Sequence, residues 1–183
     1  MTDNDHSSVP PAPFPGTPEE WRAYLAEYRD WILRFAEDRD LSQLQKDGRA
    51  GYEPADEQLI EATEERLGVA LPPSLRAFLL TSNGWSRVAT YIDSLHSCAD
   101  IHWFTDVHDG WVEEDDESDD VFKYGLIIAQ NADLFLLDTS DVLDNGEYRA
   151  YILAVKYGAL SDPCDSFSEL LTLGRKELKE LFY

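Results

Sequence analysis

Basic side chains are scarce in this sequence: 15 Lys and Arg stand against 37 Asp and Glu, for a net charge of −22. That balance argues against nucleic acid as a direct partner, because phosphate binding rests on Lys and Arg displacing counterions. Anionic membrane surfaces are disfavoured for the same reason. Cysteine is scarce too. Cys98 and Cys164 are the only two and have no C-x-x-C spacing. They leave open a single disulfide or two reduced thiols, the second being the ordinary state in a cytosolic protein. No apolar run approaches the roughly 18 residues that a membrane span needs. The opening MTDNDHSSVPPAPFPG is acidic and proline-rich, unlike a signal peptide. The expected location is therefore the cytoplasm. Enzyme signatures are missing as well: there is no G-x-S-x-G, H-E-x-x-H, P-loop or G-x-G-x-x-G. Acidic pairs are so abundant that none stands out as a catalytic dyad. The expectation is a protein with no catalytic residue and no cofactor.

A charge this large suggests disorder when it stands alone, but 43% hydrophobic and 12% aromatic residues supply a core. At 183 residues the chain suits one domain with some length to spare. Residues 1–16 carry four prolines and read as a flexible, acidic arm, leaving 17–183 as a single domain. Thr17-Pro18-Glu19-Glu20 is a helix start, with a cap, a first-turn proline and Glu20 placed for a capping box. Trp21, Leu25, Tyr28, Ile32 and Phe35 follow on one face, flanked by Tyr24 and Trp31, so a helix is expected within 17–45. That face either covers the domain's own core, the usual role of an amphipathic helix, or recruits a partner.

The stretch from Ile60 to Trp85, IEATEERLGVALPPSLRAFLLTSNGW, organises the middle of the chain. Asp56 caps a helix carrying Leu59, Ala62 and Leu67 on one face, and Gly68 ends it. Pro72 or Pro73 opens a second helix with Leu75, Phe78 and Leu79 as its buried stripe, and Asn83-Gly84 stops it. Two helices this short need a sheet to bury them. The order Leu67-Gly68, Leu71-Pro72-Pro73, Phe78-Leu79, Asn83-Gly84 resembles the signature of the SUKH superfamily, the Smi/Knr-like proteins. Leu75 stands where that family often has Tyr, and Trp85 where a second Gly is common. The resemblance extends over a core of about residues 56–172, its last part resting on Ser166-Phe167-Ser168-Glu169-Leu170-Leu171. It implies no catalytic residue. In bacteria it implies an immunity protein that neutralises a polymorphic toxin, and in eukaryotes a regulatory scaffold.

After Trp85 the periodicity changes. Val88, Thr90, Tyr91 and Ile92 favour a strand, while Ile101, Trp103 and Phe104 fit either a short strand or a helical turn. Tyr124–Ala129 and Leu134–Leu137 are apolar runs of buried-strand type. Asn145-Gly146 marks a hairpin turn before Tyr148–Val155. Ser166 to Glu169 is a second capping box, opening a terminal helix with Phe167, Leu171, Leu178 and Leu181 on one face and Gly174 where a neighbour comes close. The expected class is α+β: a mostly antiparallel sheet packed against helices, with an added N-terminal helix and a C-terminal one.

The candidate site is Asp106–Asp120, DVHDGWVEEDDESDD, with nine acidic residues and no Lys or Arg. Basic side chains are absent all the way from Arg87 to Lys123. Clustered carboxylates repel and gain only from solvent or an outside cation. One reading is a solvated loop. The other is a contact surface for a basic protein, such as a toxin whose cationic groove holds a phosphate backbone. On that reading Asp106, Asp109, Glu113, Glu114, Asp115, Asp116, Glu117, Asp119 and Asp120 steer the encounter, while Trp103 and Trp111 anchor the complex. Trp103, beside Ile101 and Phe104, also has the setting of a core residue. His96, His102 and His108 recur every six residues among Asp100, Asp106 and Asp109. Imidazole and carboxylate suit zinc, yet a spacing of six matches no common ligand motif, so no metal is expected. Asp141 to Gly146 has the Asn-Gly of a calcium loop but lacks oxygen ligands at Leu143 and Ile152, and reads as a turn.

Overall fold

The computed structural model describes residues 14–35, 51–112 and 120–181. The side chain of Phe35, most of the N-terminal arm, the end of the 17–45 segment and the acidic residues 113–119 lie outside the described residues. Residues 14–16 of the arm do not. Ser168 Oγ donates to the Pro15 carbonyl at 2.7 Å, and Gly16 N donates to the Glu20 carboxylate at 2.7 Å.

The first helix, α1 (Pro18–Phe35), begins at the expected capping box, with Glu20 N donating to Thr17 Oγ1 at 3.2 Å. Its apolar face is turned inward: Trp21, Leu25, Tyr28 and Ile32 all lie in the main core. The face that could have recruited a partner is spent on this domain. Next come α2 (Glu57–Leu67) and α3 (Pro73–Leu79). Asp56 accepts from Leu59 N at 2.8 Å, and Gly68 ends α2 in the left-handed region at φ 76°. The buried side chains of α2 are Ile60, Thr63 and Leu67. Leu59, taken above as a core position, is exposed, as is Ala62. A one-residue rotation of about 100° follows from α2 packing through a 60–63–67 stripe, with the Thr63 hydroxyl satisfied by the Leu59 carbonyl at 2.8 Å. Glu64 holds the pair together by accepting from Leu71 N at 2.9 Å and from Arg76 at 3.0 Å.

Seven strands follow in one sheet in which every pairing is antiparallel: β1 (Trp85–Ala89), β2 (Ile92–Leu95), β3 (His102–Trp103), β4 (Gly125–Gln130), β5 (Leu134–Val142), β6 (Tyr148–Ala154) and β7 (Ala159–Leu160). Their order is β1-β2-β4-β5-β6-β7, with β3 also pairing β4. Thr90 and Tyr91, read above as strand residues, form the turn between β1 and β2 instead. β1 is bulged between Ser86 and Ala89, with Arg87 at φ 61°. Tyr28 donates to the Arg87 carbonyl and, at 3.3 Å, to that of Val88, so α1 holds the bulge. The Ile101–Phe104 ambiguity resolves into both alternatives: β3 runs directly into α4 (Phe104–Val107).

The central strands separate two cores by alternation. Leu126 and Ile128 of β4, Phe135 and Leu137 of β5, and Ala150 of β6 face the main core with α1, α2, α3 and the terminal helix α6 (Phe167–Glu180). Ile127, Leu134, Leu136 and Leu153 face a second, smaller core under α4 and α5 (Asp120–Tyr124). Strands covered on both sides read as continuous apolar runs, which is why β4 and β5 showed no polar alternation. α6 starts where expected, with Glu169 N donating to Ser166 Oγ at 3.0 Å. Gly174 lets it close on β1: a Cβ there would stand 3.0 Å from Phe135 and 3.2 Å from the Val88 carbonyl. Leu181, assigned above to the buried face of this helix, is exposed just past its end.

Candidate protein-binding face

The described residues on either side of the acidic run, Trp111 and Val112 before it and Val121 and Phe122 after it, pack on the second face of the sheet. The base of the run is α4, a 3-10 turn at Asp109–Trp111, and α5. Phe104 is fully buried and organises this layer, with its ring 5.3 Å from that of Phe122 and 4.7 Å from that of His108. Trp111 stands edge-on to Phe104 at 5.7 Å and to Phe122 at 5.5 Å, and its far edge lies 3.9 Å from the position a Cβ on Gly158 would take. Trp111 is therefore half-buried, part second core and part surface. Trp103 is half-buried against the main core, so the two tryptophans belong to opposite sides of the sheet.

Asp106, Asp109 and Asp120 are exposed. Asp106 caps α4 by accepting from Trp103 N at 3.3 Å, and Asp109 accepts from Gly110 N at 2.8 Å. Glu113, Glu114, Asp115, Asp116, Glu117 and Asp119 lie outside the described residues. The described part of the face thus has three exposed carboxylates on the elements that flank the half-buried Trp111, with Val107 exposed beside them in sequence. Such a surface attracts cations at range and offers one aromatic edge at contact.

The three histidines are not brought together. His96 and His102 stack with ring centroids 5.5 Å apart, whereas His108 stacks on Phe104. Among the described residues no group of three or more His, Cys, Asp or Glu is arranged to hold a metal. The two cysteines are free and buried, and burial pushes both thiols up, Cys164 to about 11. Asp141–Gly146 lies in the β5–β6 hairpin, where Gly146 takes φ 84° and Glu147 N donates to Asn145 Oδ1 at 3.1 Å.

With the helices and sheet in view, the comparison with known families is direct: the model of the SMI1 / KNR4 family (SUKH-1) matches residues 54–173. The chain belongs to the SMI1 / KNR4 family. The matched region runs from just before α2 to the middle of α6, so it covers the sheet and the second core, while α1 and its share of the main core lie outside it. No curated protein matches the chain. Among the described residues no helix is long and apolar enough to cross a membrane.

Glu147 and Arg175 are among the buried polar groups of this SMI1 / KNR4 fold. Glu147 is 6% exposed and accepts from Ser74 N at 2.7 Å and Ser74 Oγ at 2.9 Å. Burial raises its pKa, and the two bonds from Ser74 pull it partly back. Arg175 of α6 is buried against the rings of Tyr24 and Tyr28, 4.7 and 4.8 Å from their centroids, and reaches Glu27 at 2.9 Å. Arg175 had a signal: it falls on the Phe167–Leu171–Leu178 stripe, where a charge needs partners. Glu147 had none, since it directly follows a turn.

Proposed function

We propose that this chain is an immunity-type binding protein that neutralises a cognate protein toxin, a basic nuclease or deaminase domain, by covering its cationic groove. Membership of the SMI1 / KNR4 family, known for immunity-type proteins without catalysis, is the observation that carries the reading. The net charge of −22 and the basic-free stretch between Arg87 and Lys123 support its electrostatic half. On this reading Asp106, Asp109, Asp120 and the run Glu113–Asp119 accelerate the encounter, and Trp111 supplies apolar contact once the surfaces meet. Work in the cytoplasm follows, since a toxin of this kind acts on nucleic acid or nucleotides there.

The test pairs this protein with a basic nuclease or deaminase toxin domain, sought first among the products of neighbouring genes. Co-expression should protect cells, and the purified pair should form a complex whose association slows steeply as salt rises, because screening at physiological strength cuts the field's reach to about 8 Å. No complex and no protection would end the proposal. An association rate indifferent to salt would remove the steering role of the carboxylates. The regulatory-scaffold alternative predicts the reverse dependence, with binding lost on removal of the proline-rich residues 1–13, which leaves α1 in place, and retained when the acidic run is neutralised.

A further inference from the structure

β2 and β3 are one strand interrupted. Ser94 and Leu95 pair with Gln130 and Ala129, His96 N donates to the Ile128 carbonyl at 2.7 Å, and His102 and Trp103 pair with Ile127 and Leu126. Between them Ser97–Ile101 loops out, and His96 and His102 close the neck of that excursion with stacked rings. Arg66 of α2 clamps it by donating to the Cys98 carbonyl at 2.8 Å and the Ile101 carbonyl at 2.9 Å. His96 is 7% exposed and its buried Nδ1 has no hydrogen-bond partner. His102 Nδ1 lies 2.7 Å from the Asp100 carbonyl, so it carries the proton. A cleft of about 630 Å³ opens beside the pair, bringing solvent to its edge.

We infer that the His96–His102 neck is a proton-operated switch that releases β3 from β4 in mildly acidic solution. β3 leads straight into α4, so the switch would loosen the base of the proposed binding face; that consequence, unlike the switch itself, rests on the function proposed above. The titratable groups that act on His96 are His102 on β3 and Asp100 on the excursion, while Arg66 on α2 and Asp93 on β2 line the same cleft. Neither carboxylate is idle: Asp93 accepts from Asn131 at 2.6 Å and Asp100 from Ser97 Oγ at 2.7 Å. A proton on His96 would put a cation with almost no access to solvent against the stacked His102 ring. Burial, then His102, lowers the His96 pKa below 6.5, opposed by the Asp100 carboxylate and by the backbone carbonyls of Asp100 and Ile127. The closed neck is therefore favoured above pH 6.5, and that contribution is lost as pH falls through the lower midpoint of folded His96. Each pH unit between the open and closed midpoints multiplies the open population about tenfold once both are passed.

The experiment is an NMR titration of the free full-length protein from pH 7.5 to 5.0. The His96 ring should titrate below 6.5, and the amide resonances of Trp103 and Ile127 should move with the same midpoint. In His102→Gln the His96 midpoint should rise toward 6.5, while His108→Gln should leave it unchanged. A His96 midpoint at or above 6.5, or β3–β4 amides flat across the titration, would overturn the switch. Because no partner is present, failure here leaves toxin capture untouched, and failure to capture a toxin leaves the switch standing.

Discussion

Removing the Glu147 carboxylate tests whether the structure rests on buried polar stitching as well as on apolar area. Glu147 sits where the β5–β6 hairpin meets the start of α3, and Ser74 extends the chain of contacts by accepting from Trp21 Nε1 on its carbonyl at 3.0 Å. One carboxylate thus links hairpin, α3 and α1. Glu147→Ala strands a buried N–H and a buried hydroxyl, at about 1–3 kcal/mol each, offset by no longer burying a charge. A net loss of about 2–4 kcal/mol is expected. Glu147→Gln keeps an acceptor and removes the charge, so its loss should stay under about 1.5 kcal/mol at neutral pH. The two differ more clearly in pH dependence. Folded Glu147 has a raised pKa, so the folded state holds the proton more tightly than the unfolded one. Its contribution is therefore greatest below the unfolded value near 4.5 and falls as pH rises through the folded one. Urea denaturation of wild type and Glu147→Gln from pH 4 to 8, followed by tryptophan fluorescence, should show wild type losing stability relative to Gln as pH rises, then levelling. The opposite slope, or an Ala variant as stable as wild type, would refute the reasoning.

Gly174→Ala should lower stability by about 1 kcal/mol in thermal melts, since overpacking at a 3.0 Å contact costs about 1–3 kcal/mol and helix propensity returns about 1. Arg175→Ala should cost about 2–4 kcal/mol in chemical denaturation through lost packing on Tyr24 and Tyr28, whereas Glu27→Gln, at an exposed partner, should cost under about 1 kcal/mol. Equal losses would mean that the ion pair, not packing on the two tyrosine rings, holds α6 to α1. Asp106→Asn, Asp109→Asn and Asp120→Asn together should leave stability within about 1 kcal/mol, being exposed substitutions. Combined with neutralisation of Glu113–Asp119, they should slow toxin association by about tenfold or more at low salt, with little change in the dissociation rate.

Elements whose boundaries are set by local chemistry were legible in the sequence. Asp56 and Gly68 delimit α2, Pro73 opens α3 and Ser166 opens α6, because caps and prolines act within a few residues of themselves. The central strands were legible as strands but not as a partition. Nothing in Leu134-Phe135-Leu136-Leu137 says that alternate residues serve two different cores, since both faces demand the same chemistry. Leu59 against Ile60 was decided by α2's tertiary neighbours, and neighbours are invisible to a periodicity of 3.6 when apolar residues adjoin.

The site was less legible for a related reason. Acidic density is visible in sequence, whereas what a residue leans on is not: Trp111 serves the second core and the surface at once, and Trp103 serves the other side of the sheet. The histidines show the same limit most clearly. A spacing of six means nothing on a helix or an unbroken strand, and so it matched no ligand pattern. It becomes meaningful only because β4 pairs on both sides of the Ser97–Ile101 excursion, making His96 and His102 neighbours across a neck. Sequence spacing reports contact only within regular elements. Where a strand is interrupted, the residues at the two ends of the interruption are the ones to inspect, since they meet without any periodicity to announce them.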